Sequence, residues 1–149
     1  MTEQERNVGV IEAYHEAFNR GDLSATAAAF SDPTMNHGRS VPRARVRLVL
    51  EDIRIRFPDA KLRIEKIVAV DDQVIVRNTY SGTHLGVGTI PVDGGLLVGV
   101  PPTGKRFAVQ VIHWFTLKDG LIVDHRANRD DVGMMVQLGL ITPPRPAAT

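Results

Sequence analysis

The spacing of apolar residues changes once along the chain, from a helical period to a period of two. As far as Phe57, apolar residues recur every three or four positions, as they do in amphipathic helices. From Leu62 onward they alternate with polar residues, as they do in strands that bury one face. Helices followed by strands that are joined through short turns predict an α+β fold with an antiparallel sheet.

The two periods predict where helices and strands lie. The predicted helices cover 2 to about 20, the segment DLSATAAAF behind an aspartate N-cap, 43–57, and the short stretch DDVGMMVQLGL. The predicted strands cover 62–70, 73–86, 106–117 and 121–128. The segment SDPTMNHG breaks the helical pattern, 87–106 is expected to be a loop or irregular hairpin, and 143–149 a loose tail. Helices laid over a curved sheet of four to six strands would make a cone that encloses a hydrophobic cavity.

The composition narrows the class of protein. A chain of 149 residues, of which 43% are hydrophobic, can bury one core, so we expect a single domain over 1–149. The formal net charge of +1 argues against a general nucleic-acid binder, and the absence of cysteine excludes disulfides and thiolate metal sites. The first ten residues carry charges where a signal peptide needs an apolar stretch, so we expect a cytoplasmic protein without a membrane span.

The loop KDG between the last two strands decides which side chains share a face. We expect a three-residue loop with Gly120 in the left-handed conformation, because glycine is favoured there. This register pairs His113 with His125, whereas a two-residue loop pairs His113 with Arg126 and mixes apolar with charged residues, so it ranks lower. The inner face predicted in this way consists of Phe107, Val109, Val111, His113, Phe115, Leu117, Leu121, Val123, His125 and Ala127.

Two imidazoles that face each other on an apolar surface indicate a functional pocket. Desolvation and mutual repulsion both favour their neutral forms. Either histidine alone is more typical of a hydrogen-bonded core residue, but the facing pair favours function. Because no second carboxylate lies close in the pattern, a hydrogen-bonded pair is favoured over a metal site. The segment GVGTIPVDGG lacks the strand-to-helix setting of a dinucleotide loop, so no cofactor is expected.

Several segments resemble one family throughout the chain. The stretch QVIHWFTLKDGLIVDHRANRDDVGMMVQLG, together with FNRGD, FPDA, SGTHLG and VPPTGKRF, resembles the SnoaL-like polyketide cyclases of the NTF2-like superfamily. The resemblance implies an α+β barrel with a hydrophobic cavity and an aldol cyclisation without metal or organic cofactor. In the aromatic-polyketide cyclases of the family, an aspartate in a DHRD run of the last strand is the general acid/base. Here the run reads DHRA, so the catalytic position falls on Ala127.

The resemblance also carries other positions of the family's site onto this chain. It implies His113 and His125 as base or donor, and Asn36 as a neutral donor to an enolate oxygen. Asp130 matches a second aspartate, which replaces the missing carboxylate only if the strand bends or ends before it. The residues expected to contact substrate are His84, Phe115, Val111, Ala127 and Tyr80. The glycine-rich segment 87–95 is longer than in the simplest cyclases.

Three functions follow from these residues. The first is cyclase-type aldol chemistry on an aromatic polyketide intermediate of secondary metabolism, such as antibiotic biosynthesis. The second is a hydroxylase-type tailoring enzyme that works with a partner reductase, which is compatible with an alanine at position 127. The third is a small-molecule binding protein without catalysis.

Two surface features complete the prediction. Trp114 and Ile112 are expected on the outer face of the sheet, where an apolar patch predicts a homodimer. The four arginines of RSVPRARVR are most simply the solvated end of a helix, and a basic pocket rim for an anionic or carrier-bound substrate is the second interpretation. Arg77 and Arg126 are expected at the surface.

Overall fold

The helices begin where the sequence supplies caps. In the computed structural model, which describes residues 1–91 and 96–148, Thr2 and Glu5 form a capping box. Asp22 caps the second helix through Ala25 N, as predicted. The helices are α1 (Glu3–Asn19), α2 (Leu23–Ala28), α3 (Arg43–Arg56) and α4 (Asp131–Gln137). All four lie within the predicted segments.

Six strands form one open sheet. They are β1 (Phe30–Asn36), β2 (Arg39–Val41), β3 (Lys61–Val70), β4 (Gln73–Thr83), β5 (Arg106–Lys118) and β6 (Leu121–Arg129). The order across the sheet is β2-β1-β6-β5-β4-β3. The α+β architecture and the four predicted strands are confirmed. The prediction of a purely antiparallel sheet is wrong, because β1 pairs in parallel with β6.

The turn between β5 and β6 has two residues rather than the predicted three. Lys118 pairs with Leu121, and both residues between them have positive φ, 51° at Asp119 and 77° at Gly120. Two successive positive φ values define the type I′ turn, for which Asp-Gly is a favoured sequence. The left-handed conformation of Gly120 is therefore confirmed, but the loop length was wrong.

A β-bulge in β6 moves the pairing back toward the predicted face. Thr116 pairs with Asp124 and Leu117 with Ile122, so Val123 is the extra residue. Beyond the bulge His113 pairs with Ala127, and not with His125 as predicted. This shift is two residues, so the same side chains still share a face.

On the turn side of the bulge, the predicted inner face is wrong. Ile122 is fully buried, whereas Leu121 and Val123 are only half-buried. The prediction placed Leu121 and Val123 inside. On the far side of the bulge, His125 is buried and Ala127 half-buried, as the alternation predicted.

The core lies between the concave face of the sheet and the helices. α1 packs across β3 and β4, while α3 packs beside α2 and β1. The largest fully buried apolar side chains of the core are Phe30, Phe107, Phe115, Ile11, Leu117, Ile122, Met134 and Leu138. Trp114 and Ile112 lie on the opposite face and are about half exposed, as predicted.

The segment between β4 and β5 packs along the C-terminal end of α3. In its described part, residues 84–91 and 96–105, the backbone forms no strand, which agrees with the predicted loop. Leu85 N donates to Arg56 O, and a Cβ added to Gly86 would lie 2.0 Å from Ile55 O. Only glycine fits such an approach. Residues 92–95 of the glycine-rich segment, like Thr149 at the end of the predicted tail, lie outside the described residues.

Candidate functional site

A cavity of about 570 Å³ lies between the sheet, α1 and α3. Its volume falls in the range of small-molecule sites. Much of its wall is apolar and includes Phe18, Phe30, Val46, Leu50, Ile53 and Val111. A predominantly apolar wall suits a ligand with a large ring system.

Three polar side chains on neighbouring strands form a hydrogen-bonded chain at the cavity wall. His113 Nδ1 lies 2.8 Å from His125 Nε2, and His125 Nδ1 lies 3.0 Å from Asn36 Oδ1. The parallel pairing of β1 with β6 brings Asn36 directly beside His125. We call this set the imidazole–amide chain. All three residues line the cavity.

The amide oxygen of Asn36 sets the direction of the protons, because an amide oxygen only accepts hydrogen bonds. His125 Nδ1–H therefore donates to Asn36 Oδ1, and His125 Nε2 accepts from His113 Nδ1–H. His113 Nε2 is buried and has no hydrogen-bond partner among residues 1–91 and 96–148. The amide NH₂ of Asn36 likewise bonds to none of these residues. This amide is therefore the polar group of the chain that is available to a ligand.

Both histidines of the chain are neutral at physiological pH. Burial, followed by repulsion from the nearby His37 and His15, lowers the pKa of His125 to about 3. Burial also holds the pKa of His113 well below its usual range, with repulsion from His125 as the next cause. The expected neutral forms follow from desolvation. Neutral imidazoles can pass hydrogen-bond polarisation along the chain, but they are weak proton acceptors.

Phe115 fixes the planes of the two imidazole rings. Its ring is stacked on His125 at 4.9 Å between centroids and on His113 at 5.7 Å, with interplanar angles of 19° and 8°. Phe115 is fully buried and is not among the residues that line the cavity. The prediction that it contacts substrate is therefore not supported by its position, which is behind the histidines.

The structure brings most of the predicted site residues together. Those that line the cavity are Asn36, Tyr80, Val111, His113, His125 and Ala127. His84 is fully buried elsewhere, with Thr103 N donating to its Nδ1 at 3.2 Å. Asp130 is exposed and caps α4, because its Oδ1 accepts from Gly133 N at 2.9 Å. Neither His84 nor Asp130 lines the cavity, so the structure does not place a substitute carboxylate there.

Ala127 is the position at which the resemblance implies a catalytic carboxylate. It pairs with His113 across β5 and β6 and lines the cavity. An aspartate at this position would face the first imidazole of the chain from the neighbouring strand. The methyl group of alanine leaves the chain without an anionic partner at this point.

Two further histidines border the chain and were not predicted from the sequence. His15 of α1 is buried, with its ring centroid 6.2 Å from that of His113, and its Nδ1 lies 2.7 Å from Ile11 O. His37 follows Asn36 with φ of 50°, and its ring lies 5.3 Å from His125. His15 directly follows Tyr14 on the buried stripe of α1, which is a weak signal. The turn sequence NHG gave no sign that His37 reaches the cavity.

The described residues contain neither a metal-binding cluster nor a membrane-spanning helix. Within residues 1–91 and 96–148, no group of three His, Cys, Asp or Glu side chains is arranged to hold a metal ion. The helices in the same residues are too short or too polar to cross a membrane.

The sequence matches a known family over most of its length. A family model described as SnoaL-like polyketide cyclase matches residues 9–138. The chain belongs to this family. Three curated cyclases match over a shorter segment. Nogalonic acid methyl ester cyclase of Streptomyces nogalater is 47% identical over 45 residues, which are 30% of this chain and 34% of that protein. The matched segment thus spans about a third of the curated relatives.

Solved structures of the family share the fold over nearly the whole chain. AclR of Streptomyces galilaeus, described as a candidate hydroxylase, has a TM-score of 0.77 and 25% identity, and the match covers 97% of this chain and 91% of AclR. IdmH of Streptomyces antibioticus, described as a candidate polyketide cyclase, has a TM-score of 0.72 and 29% identity, with 89% and 98% covered. These neighbours confirm the NTF2-like α+β fold predicted from the sequence.

Proposed function

We propose that this protein is an enzyme that stabilises the enolate of an aromatic polyketide intermediate and closes a ring by an aldol reaction. One observation carries the proposal: the imidazole–amide chain of His113, His125 and Asn36 lies on the wall of a largely apolar cavity of about 570 Å³. Membership in the polyketide cyclase family supports the substrate class.

The hydrogen bonds of the chain make Asn36 a stronger donor. When His125 Nδ1–H donates to the amide oxygen, electron density moves toward that oxygen and the NH₂ group becomes more positive. The hydrogen bond from His113 to His125 strengthens this effect, because hydrogen bonds in series polarise one another. A preorganised donor aimed at a developing oxyanion typically contributes 10²- to 10³-fold in rate, about 3–4 kcal/mol. This polarisation supports our proposal that Asn36 is the donor to an enolate oxygen.

The aldol step needs no net oxidant or reductant. A proton leaves the carbon next to a carbonyl, the resulting enolate carbon forms a bond to a second carbonyl carbon, and the new alkoxide takes up a proton. The product is an isomer of the substrate. With no carboxylate at Ala127, the substrate's own acidity must supply more of the ionisation. A polyketide with adjacent carbonyl groups meets this requirement, because its enolate is spread over two oxygens.

Hydroxylation is the second candidate, and the alanine at position 127 favours it. AclR, which is 25% identical to this chain, is described as a candidate hydroxylase. An ionised polyphenol can react with O₂, and a partner reductase would supply the two electrons that reduce the second oxygen atom to water. The same polarised Asn36 would stabilise the phenolate in this case. The product would contain one more oxygen atom than the substrate.

Product mass separates these functions. We would incubate the protein with aklanonic acid methyl ester and with nogalonic acid methyl ester, the compounds in the names of the curated relatives, with and without NADPH and a reductase. Aldol closure gives a product of unchanged mass in both conditions. Hydroxylation gives a product heavier by one oxygen only when reductase and O₂ are present. Binding without a new product in any condition would leave a binding protein and overturn the proposal.

The His113→Ala variant tests the site itself. We expect it to lower kcat by about 10²-fold, because the variant removes the first donor of the chain. Circular dichroism and thermal unfolding should show a folded protein. Trp114→Ala is the matched control, since Trp114 is the next residue on the same strand and points outward. Full activity in His113→Ala would discard the assignment of the site.

A further inference from the structure

The polar part of the cavity wall carries positive charge. Arg39, Arg45 and Arg129 line the cavity. The described residues that line it include no aspartate or glutamate. Arg129 is partly neutralised, since its Nε lies 2.5 Å from Asp131 Oδ1. Arg39 and Arg45 therefore dominate the charge at this part of the wall.

The four arginines of segment 39–47 divide into two kinds. Arg43 Nε donates to Phe30 O at 2.9 Å, and Arg47 Nε donates to Glu51 Oε1 at 3.1 Å. Arg43 thus ties α3 to β1, and Arg47 ties α3 to α2 because its Nη1 also donates to Ser24 Oγ. The side chains of Arg39 and Arg45 make no hydrogen bond or ion pair to the described residues, and these are the two that line the cavity. Arg39 lies on β2 rather than on the helix, and Arg45 is half-buried at the cavity. The interpretation of all four as the solvated end of a helix therefore does not describe these two.

Arg45 is also placed where it does not help the helix. It lies in the first turn of α3, whose N-cap residue, Pro42, forms no side-chain hydrogen bond and whose first turn contains no acidic residue. A cation at the N-terminal end of a helix is disfavoured by the helix dipole, typically by several tenths of a kcal/mol. Helix stability does not explain this arginine, whereas attraction of an anion into the cavity does.

We propose that Arg39 and Arg45 bind a carboxylate carried by the substrate, while its rings occupy the apolar part of the cavity. The proposal rests on the proposed function only in assuming that the substrate carries an aromatic ring system. An arginine guanidinium and a carboxylate form short, charge-assisted hydrogen bonds. The apolar wall beside them lowers the local dielectric and strengthens the attraction. This chain would accordingly prefer a free acid to its methyl ester, whereas the curated relatives are named for methyl esters.

An equilibrium binding measurement tests this preference without any turnover. The probes are an anthraquinone carboxylic acid and its methyl ester, which lack the side chain that an aldol closure needs. We expect the acid to bind about 10-fold more tightly than the ester to the unmodified protein, and raised salt to reduce the difference. The double variant Arg39→Gln/Arg45→Gln should bind acid and ester equally, with the affinity for the ester unchanged.

The matched control is the double variant Arg77→Gln/Arg126→Gln. It removes the same number of charges from side chains that are exposed and do not line the cavity. Preference for the acid that survives in the control but not in the Arg39/Arg45 variant supports the proposal. Equal binding of acid and ester by the unmodified protein, or equal loss in both variants, overturns it whether or not the enzyme cyclises a polyketide.

Competition identifies the source of the anion. Coenzyme A carries the phosphate groups of a carrier arm but no aromatic polyketide. If it displaces the anthraquinone acid at concentrations at which inorganic phosphate does not, the arginines recognise a carrier arm and the assignment of a carboxylate fails. If it does not displace the acid, the carboxylate of the substrate remains the ligand.

Discussion

Two buried polar networks lie on the inner side of this protein, and they differ in charge. The first is the imidazole–amide chain, which is neutral and lies beside the cavity. The second joins Asp52 and Arg56 of α3, whose side chains are only 2% and 5% exposed. Asp52 Oδ2 and Arg56 Nε lie 3.1 Å apart as an ion pair. Both networks bury groups that prefer water, so each must offset the cost of desolvation.

Both members of the charged network form hydrogen bonds to the backbone of the segment that follows β4. Asp52 Oδ1 accepts from Thr89 N at 2.8 Å and from Ile90 N at 3.3 Å. Arg56 Nη1 donates to Leu96 O at 3.4 Å. A Cβ added to Gly88 would lie 2.3 Å from Arg56 Cδ, so the segment packs directly on the arginine. The ion pair thus holds both described ends of the segment against α3.

The hydrogen bonds of the neutral network join side chains to each other rather than to the backbone. Its two imidazole rings are hydrogen-bonded to each other, and the ring of His125 also bonds to the amide oxygen of Asn36. The remaining donor, the NH₂ of Asn36, has no hydrogen bond to a described residue. A network that holds the chain together uses its polar groups on the backbone, whereas a network that performs chemistry keeps one group for the ligand. We infer that the Asp52–Arg56 pair is structural and that the imidazole–amide chain is functional.

The Asp52→Ala variant tests the structural assignment and should have the largest effect. It leaves the buried guanidinium of Arg56 without its partner, which typically costs about 3–5 kcal/mol of unfolding free energy. Urea unfolding measures the change. Glu51→Ala is the control, because Glu51 pairs with Arg47 in a half-exposed ion pair and should cost less than about 1 kcal/mol. A loss in Asp52→Ala no larger than in the control would contradict the assignment.

The Asn36→Ala variant tests the functional assignment. It removes the polarised donor but no buried charge, so we expect kcat to fall by about 10²- to 10³-fold, whereas unfolding free energy changes by about 1 kcal/mol. Steady-state kinetics and urea unfolding on the same preparation measure both. A large loss of stability with little loss of activity would make the two networks alike and break the comparison.

The sequence could predict which residues share the cavity wall, but not how they are paired. Alternation in β5 and β6 predicted His113, His125, Val111 and Ala127 on one face, and all four line the cavity. The shorter turn and the bulge at Val123 each shift the pairing by one residue, so the observed register differs from the predicted one by two residues, which preserves the face and changes the partners. The position of a bulge depends on packing across both strands, so it cannot be predicted from the residues of the turn alone.

Two other features depend on contacts between distant segments. β1 contains proline, aspartate and asparagine, which are poor strand formers, and β2 is only three residues long. β1 is held in the sheet by parallel pairing with β6. Asp52 and Arg56 lie four residues apart on α3, where an exposed pair is the ordinary interpretation. The segment after β4 buries them, and its path could not be derived from local periodicity.

Acid should destabilise the protein through His125. Its pKa is about 3 in the folded protein and near 6.5 when exposed, so the unfolded chain binds the proton first as pH falls. The stabilisation is complete above about pH 6.5 and decreases toward pH 3, by about 2 kcal/mol at pH 5. Urea unfolding of the protein and of His125→Phe across this range isolates the effect. Parallel curves would mean that the neutral network is not desolvated as described.

A substitution of Trp114 should have the smallest effect. It tests whether the losses of stability and activity expected above are specific to the two buried networks. It alternates with His113 on β5 but is about half exposed on the opposite face, next to Ile112. Measured at a concentration at which both proteins are monomeric, Trp114→Glu should change the free energy of unfolding by less than about 0.5 kcal/mol and leave kcat unchanged, because it touches neither network.

The same variant tests the predicted homodimer. Exposed Trp114 and Ile112 form an apolar patch on the outer face of the sheet, and a second copy is the partner that we predict for it. A glutamate in the patch would bury a charge in such an interface, so the variant should be monomeric at concentrations where the unmodified protein is a dimer. Sedimentation equilibrium measures the difference. If the unmodified protein is monomeric at all concentrations, the prediction of a homodimer is wrong. A loss of activity in the variant would show that the outer face contributes to the site.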